Sequence, residues 1–167
     1  MQQAHRQGKK LIVVDPRKTE IAREADLHLS LKSGTDAALI DGIMNIIITE
    51  GLYDKEYVEN KVERFEDVKE LVSKYTPELV SKITTVPVEK IYKAARMYAS
   101  AERAGIFYTL GITEHTTGTS NVMNLSNLAL LFGVNFASKS AQSAGRFCVQ
   151  TKIAYALDFV KTSNFTL

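Results

Sequence analysis

Leu11-Ile12-Val13-Val14 is an unbroken apolar run, the pattern of a strand covered on both faces rather than half exposed. Pro16 lacks a backbone donor and ends it. Leu27, Leu29 and Leu31 alternate with His28 and Ser30, which predicts a second strand over Leu27 to Leu31. From Asp36 to Glu50 the pattern turns helical and is apolar over much of its circumference, as in a helix packed between a sheet and further structure. Lys55 to Lys74 is amphipathic, with Tyr57, Val58, Val62, Phe65, Val68, Leu71 and Val72 three or four apart, so one long surface helix is expected there. Thr76 can cap a short helix whose first turn holds Pro77, and Pro87 opens the next. In that helix Val88, Ile91, Ala95 and Tyr98 make one face and Lys90, Lys93 and Arg96 the other. Gly105 to Leu110 reads as a third buried strand ending on Gly111, followed by a threonine-rich loop. Asn121 to Phe132 reads as a last apolar helix. Strands alternating with helices at these spacings predict an α/β fold, a layered Rossmann-like domain with parallel strands flanked by helices, followed by an irregular tail.

Composition narrows the picture. The chain has 167 residues, 45% hydrophobic and 24% charged, which is enough for one domain with a substantial core. A net charge of +2 and the lack of a basic stripe interleaved with aromatics give no indication of a nucleic-acid partner. The longest apolar run, Ala37 to Ile48, is interrupted by Asp41, Gly42 and Asn45 and is too short to be a membrane span. Residues 1–10 carry basic residues without an apolar stretch ahead of a cleavage site, so no secretory signal is read and a cytoplasmic location is expected. The single cysteine, Cys148, supports neither an internal disulfide nor a multi-thiolate metal site. Residues 135–167 carry four basic residues and one acid, unlike the balanced chain before them. The division expected is therefore 1–133 as the α/β domain and 134–167 as an atypical tail. Within that tail, 135–147 reads as loop or disorder and 149–160 as a short amphipathic helix.

In open α/β sheets ligands sit beyond the carboxyl ends of strands, where loops diverge and helix N-termini present free backbone donors. Asp15, Asp36 and Gly111 fall at such ends. A carboxylate there can accept from a ribose diol or from the N1–H and N2 amino group of guanine. Gly34 lets backbone donors approach a phosphate, and Arg17 offers a guanidinium. The same residues also fit a role without ligand. An acid at a helix start is favoured by the helix dipole, Asp15-Pro16 is an ordinary strand-ending turn, and the G-x-G-x-x-G fingerprint is absent. His28 has no second metal ligand at helical or strand spacing and reads as a half-exposed strand residue. His115 beside Glu114 is open to acid–base work or simple loop contact. Tyr92, Met97 and Tyr98 read as core packing. No nucleophile, base and orienting group assemble into a set, and Cys148 has only Arg146 as a basic neighbour, so no catalytic residue and no metal ligand is assigned.

The ordered series KLIVVDPRKTEIAREADLHLSLKSGTDAALIDGIM, EGLYDKEYVE, KYTPELVSKITTVP, IYKAARMYA, RAGIFYTLGITEHTTG and NLALLFG closely resembles the molybdopterin oxidoreductase family, and within it the catalytic subunit of molybdopterin-dependent formate dehydrogenases. The resemblance covers about residues 8 to 133. It implies two-electron oxidation of formate to carbon dioxide and a bis-(molybdopterin guanine dinucleotide) cofactor with molybdenum or tungsten. It also implies that this segment resembles one of the nucleotide-binding domains. On it, Asp15, Pro16 and Arg17 in VVDPR, and Gly34, Thr35 and Asp36 in SGTD, match positions near a guanosine. Leu110, Gly111 and Glu114 in the GITEHTTG loop match one that meets the pterin. Relatives usually carry glutamine where this chain has Glu114, and an acid loses the amide donor and adds negative charge near phosphates.

The family's catalytic selenocysteine or cysteine, its neighbouring histidine and the four cysteines of a [4Fe-4S] cluster belong upstream of Met1. Downstream, relatives continue into a glycine-rich stretch leading to N-P-x-R-G, where this chain reads GVNFASKSAQSAGRF. The resemblance thus implies an interior fragment, inactive alone, whose residues from about Val134 are out of frame or joined from elsewhere. Its partners would be the cofactor, the remainder of the catalytic subunit and electron-transfer subunits. The rival is a free-standing nucleotide-binding or regulatory module without redox activity.

Overall fold

A computed structural model describes residues 5–101, 104–132 and 147–150. Strand β1 spans Lys10–Val14, and its four apolar residues are all buried. Ile12 and Val14 join the main core, whereas Leu11 and Val13 pack on the other face with Ala22. Ala22 belongs to the short helix α1, Glu20–Glu24, capped by the Thr19 hydroxyl. This two-sided burial is what an unbroken β-branched run encodes. Strand β2, Leu27–Leu29, pairs in parallel with β1, placing Ile12 opposite Leu27 and Val14 opposite Leu29. The expected strand ends two residues early, although Leu31 remains buried.

Helix α2, Asp36–Thr49, runs through the middle of the main core. Leu39, Ile40, Ile43, Met44, Ile46 and Ile47 are buried around most of its circumference. Gly42 permits close approach of the neighbouring Val80, since a Cβ built there would lie 2.7 Å from Val80 Cγ2. The long helix expected from Lys55 to Lys74 is instead two, α3 at Lys55–Lys61 and α4 at Phe65–Ser73. Arg64 adopts the left-handed conformation (φ 56°) between them and breaks the hydrogen-bond ladder. Helix α5, Pro77–Thr84, starts as expected, with the Thr76 hydroxyl accepting from Leu79 N and Pro77 in the first turn. Helix α6, Val88–Ala99, follows Pro87 and buries Ile91, Ala94, Ala95 and Tyr98. Tyr98 meets Phe132 edge-on at 5.2 Å, while Tyr92 and Met97 pack partly buried against the same core.

Strand β3, Ala104–Phe107, is shorter than expected. The chain turns at Tyr108 and Thr109, and Leu110–Thr113 form a one-turn helix, α7, where strand and loop were expected. A short apolar run does not itself distinguish strand from helix, and a buried Ile112 serves either. Helix α8, Gly118–Leu130, begins three residues before the expected Asn121. Within the tail, Phe147–Gln150 form β4, so the helix expected over 149–160 gives way to strand at Val149 and Gln150. The remainder of that helix, and most of the loop expected over 135–147, lie outside the described residues.

The strand order is β2-β1-β4-β3, all pairs parallel, with Leu11 opposite Cys148 and Gly105 opposite Cys148. β1 and β3 would otherwise leave open inner edges, and β4 satisfies both. The α/β layering with parallel strands matches the expectation from sequence.

Candidate functional site

The carboxyl end of β1 is built as an Asx turn. Asp15 is 7% exposed, and its Oδ1 accepts from Arg17 N at 2.8 Å, with Arg17 Nε 3.6 Å away. Two side chains of the β2 segment hold the same turn from the side. His28 Nε2 donates to the Asp15 carbonyl at 2.9 Å, and Ser30 Oγ donates to the Pro16 carbonyl at 2.9 Å. Asp15 thereby lies in the turn, and Pro16 forms its outer surface.

After β2 the chain is held by Lys32 N donating to the Thr84 carbonyl at 2.7 Å, then turns through Gly34 at φ +82° into α2. A side chain at this φ would be strained, although nothing crowds the position. Thr35 occupies the cap position, but its hydroxyl donates back to the Lys32 carbonyl at 2.6 Å and makes no capping bond. The first-turn amides of α2 consequently receive no cap from Thr35, and the positive end of the helix dipole adjoins Asp36.

These two turns and α7 meet in one small crevice lined by Val14, Pro16, Ser33, Asp36, Gly111, Ile112 and His115. Its volume is about 30 Å³, the room of one water, so it encloses no larger molecule. Of the nine residues singled out from sequence, the fold brings Pro16, Asp36 and Gly111 into this lining. Asp15, Arg17, Gly34 and Thr35 support it from the adjoining turns. Leu110 is 61% exposed on α7, and Glu114 is exposed beyond it; neither lines the crevice. His115 and Ser33 do line it and were not among the nine. The signal for His115 was its place one residue past Glu114 in the same loop, but the one-turn helix that sets its direction was not legible.

A larger depression of about 630 Å³ runs along α6, lined by Glu89, Tyr92, Lys93, Arg96, Met97 and Ser100. It is open to solvent, and none of the nine residues contributes. There Arg96 pairs with Glu50 through two hydrogen bonds of 2.6 and 3.0 Å, which hold the Glu50 carboxyl below the usual range. The guanidinium also lies over Tyr92 at 5.1 Å. Of the polar side chains lining the depression, Arg96 and Ser100 are engaged within the chain, Ser100 Oγ donating to the Met97 carbonyl at 3.2 Å.

Among the described residues no three His, Cys, Asp or Glu side chains cluster as a metal ion would need, and no helix is long and apolar enough to cross a membrane.

The profile of the molybdopterin oxidoreductase family matches residues 1–164. The alpha subunit of F420-dependent formate dehydrogenase 2 from Methanococcus maripaludis is 48% identical over 130 residues, 78% of this chain and 19% of that protein. Formate dehydrogenase H of Escherichia coli is 46% identical over 130 residues, 78% of this chain and 18% of that protein. Among solved structures, acetylene hydratase from Pelobacter acetylenicus superposes with a TM-score of 0.77 at 41% identity, over 79% of this chain and 18% of that one. The chain thus spans about a fifth of the length of these relatives. With a parallel sheet, a crevice at its strand ends and a family match along nearly its whole length, this chain belongs to the molybdopterin oxidoreductase family.

Proposed function

We propose that this chain is a segment of a formate dehydrogenase catalytic subunit and that it holds the guanine nucleotide end of a molybdopterin guanine dinucleotide cofactor. The observation that carries the reading is the crevice itself, where the end of β1, the start of α2 and α7 converge around Asp36. The residues present fit such a group. The amides at the start of α2, which Thr35 does not cap, and the Ser33 hydroxyl suit phosphate oxygens. The Asp36 carboxylate suits the donors of a guanine edge or a ribose diol, and the Pro16 ring offers an apolar surface beside the purine. His115 adds an imidazole that can donate to phosphate or stack on the base.

When bound, the pterin-held metal, molybdenum or tungsten, supplies the two-electron redox chemistry. The part of this chain is to bind and orient. Pro16 and Asp36 fix the nucleotide end against a rigid turn and a helix terminus, and the buried Asp15 keeps that turn from opening. Remote binding contacts of this kind determine where a reactive centre sits without touching it. That two formate dehydrogenases and an acetylene hydratase share this segment supports a role toward the cofactor rather than in the choice of substrate. Formate is favoured as the parent's substrate by the formate dehydrogenase relatives. Nothing in the family match favours a free-standing regulatory module.

Titration of the purified chain with GDP tests this reading. Binding is expected to weaken roughly tenfold in Asp36→Ala and less in Asp15→Ala, which acts through the turn. Unchanged affinity in both variants, or equal affinity for ADP, would reject the assignment. The isolated chain is expected to show no dye-linked formate oxidation.

A further inference from the structure

Crevice walls from separate parts of the chain hold a fixed separation only if something ties them together, and helix α8 is placed to do so. One wall is Ser33 and Asp36 at the start of α2; another is Gly111, Ile112 and His115 on and after α7. Asn121, 1% exposed on α8, donates from Nδ2 to the Ile112 carbonyl at 3.0 Å. A one-turn helix cannot satisfy its own late carbonyls, so this amide completes α7. Three residues on, Asn124 donates from Nδ2 to Oδ1 of Asp41 at 2.8 Å. Asp41 is 4% exposed and sits on α2 five residues after Asp36, about 7.5 Å along the axis.

We propose that Asn121 and Asn124 are positioning residues which staple the α2 and α7 walls to one rigid helix and so set the width of the crevice. The two asparagines are i and i+3 on α8, so they lie on neighbouring parts of one face. The polar path is continuous: Ile112 to Asn121, along α8 to Asn124, across to Asp41, and back along α2 to Asp36. Its ends are both crevice residues. Packing alone does not explain these side chains. Asn121 Oδ1 is buried without a hydrogen-bond partner among the described residues, an unfavourable arrangement that an apolar residue of similar size would avoid. What the amide gives in return is direction, because a hydrogen bond fixes Ile112 where an alkyl contact would let it slide. Gly118 reinforces the joint: a Cβ there would run into the Thr113 carbonyl, so the start of α8 sits directly against the end of α7.

This staple deepens the nucleotide reading and rests on it for its biological meaning, but it can be measured without any ligand. Hydrogen–deuterium exchange of the full chain reads the wall segments 33–38 and 110–118 against α6 as a reference. In Asn124→Ala, and in Asn121→Leu where it folds, both wall segments are expected to exchange at least about fivefold faster while α6 is unchanged. Asp41→Asn retains an oxygen that accepts from Asn124 and is expected to speed exchange in neither wall segment. Wall exchange that does not change in Asn124→Ala, or that rises equally in α6, would overturn the proposal, since the latter is the signature of general destabilisation. GDP affinity read in parallel separates the two ideas. Failure of the unaltered chain to bind GDP, with faster wall exchange in Asn124→Ala, would reject the nucleotide reading and leave the staple standing.

Discussion

His28 Nε2 lies 2.9 Å from the carbonyl oxygen of Asp15, and because a carbonyl only accepts, the ring nitrogen must carry the proton. The histidine therefore has a defined duty, to tie β2 to the turn that ends β1. Replacing it with phenylalanine keeps the ring volume and removes the donor. His28→Phe is expected to lower unfolding stability by about 0.5–1.5 kcal/mol in urea titration. Ser30→Ala, which loses a more exposed bond to the Pro16 carbonyl, should lose less.

Two glycines should respond differently to alanine. At Gly42 the new methyl meets the side chain of Val80, a stiff β-branched neighbour, at 2.7 Å. Overpacking there costs about 1–3 kcal/mol against a gain of about 1 kcal/mol in helix propensity, so Gly42→Ala should be net destabilising. Gly42→Ala combined with Val80→Ala should show favourable coupling in a double-mutant cycle. At Gly118 the obstacle is the Thr113 backbone, which no side-chain adjustment relieves. Gly118→Ala should have the larger effect of the two, and thermal unfolding would rank them.

Burial pushes the Asp41 carboxyl up from its ordinary 3.8 to about 6, with the Asn124 amide opposing the shift. A carboxyl that holds its proton more tightly when folded makes the folded state bind more protons between those two values. Stability should accordingly fall as pH rises from about 4 to 6, and this loss should be complete above the folded value. Asp41→Asn removes the titration. It should flatten that part of the curve and raise stability at pH 7 by on the order of 2 kcal/mol. Denaturant midpoints measured across this range check the sign, which an unperturbed acid would not produce.

Much of the scaffold was legible in the chain because local signals and burial agree. Leu11 to Val14 has no polar residue to mark an outer face, and it is covered on both sides. Thr76 and Pro77 carry their capping chemistry in their side chains. The failures have equally local causes. Apolar spacing continues from Val58 through Val62 to Phe65, so nothing in it reveals that Arg64 turns left-handed. Leu110–Thr113 is too short to display a helical period. For the site, acids at strand ends could be read from position alone. Which of them faces the crevice could not, because Asp15 is consumed in an Asx turn that depends on His28 and Ser30 from another strand.

That distinction reaches the α7 loop, where His115 lines the crevice and Glu114 is exposed. His115→Ala should weaken GDP binding about threefold to tenfold, the loss of one hydrogen bond or stacking contact. Glu114→Ala should leave it within about twofold. Isothermal titration of both variants orders them, and a larger effect at Glu114 would move the contact to the exposed side of the loop.

The most direct measurement is a map of backbone amide chemical shifts as GDP is added to isotope-labelled protein. The largest changes should fall at the amides of Val14, Ser33, Asp36, Gly111 and His115, which come from three separate segments and converge only in the folded chain. Shifts concentrated on α6 around Tyr92 and Arg96, or no saturable shifts at all, would contradict the assignment of this crevice to a guanine nucleotide.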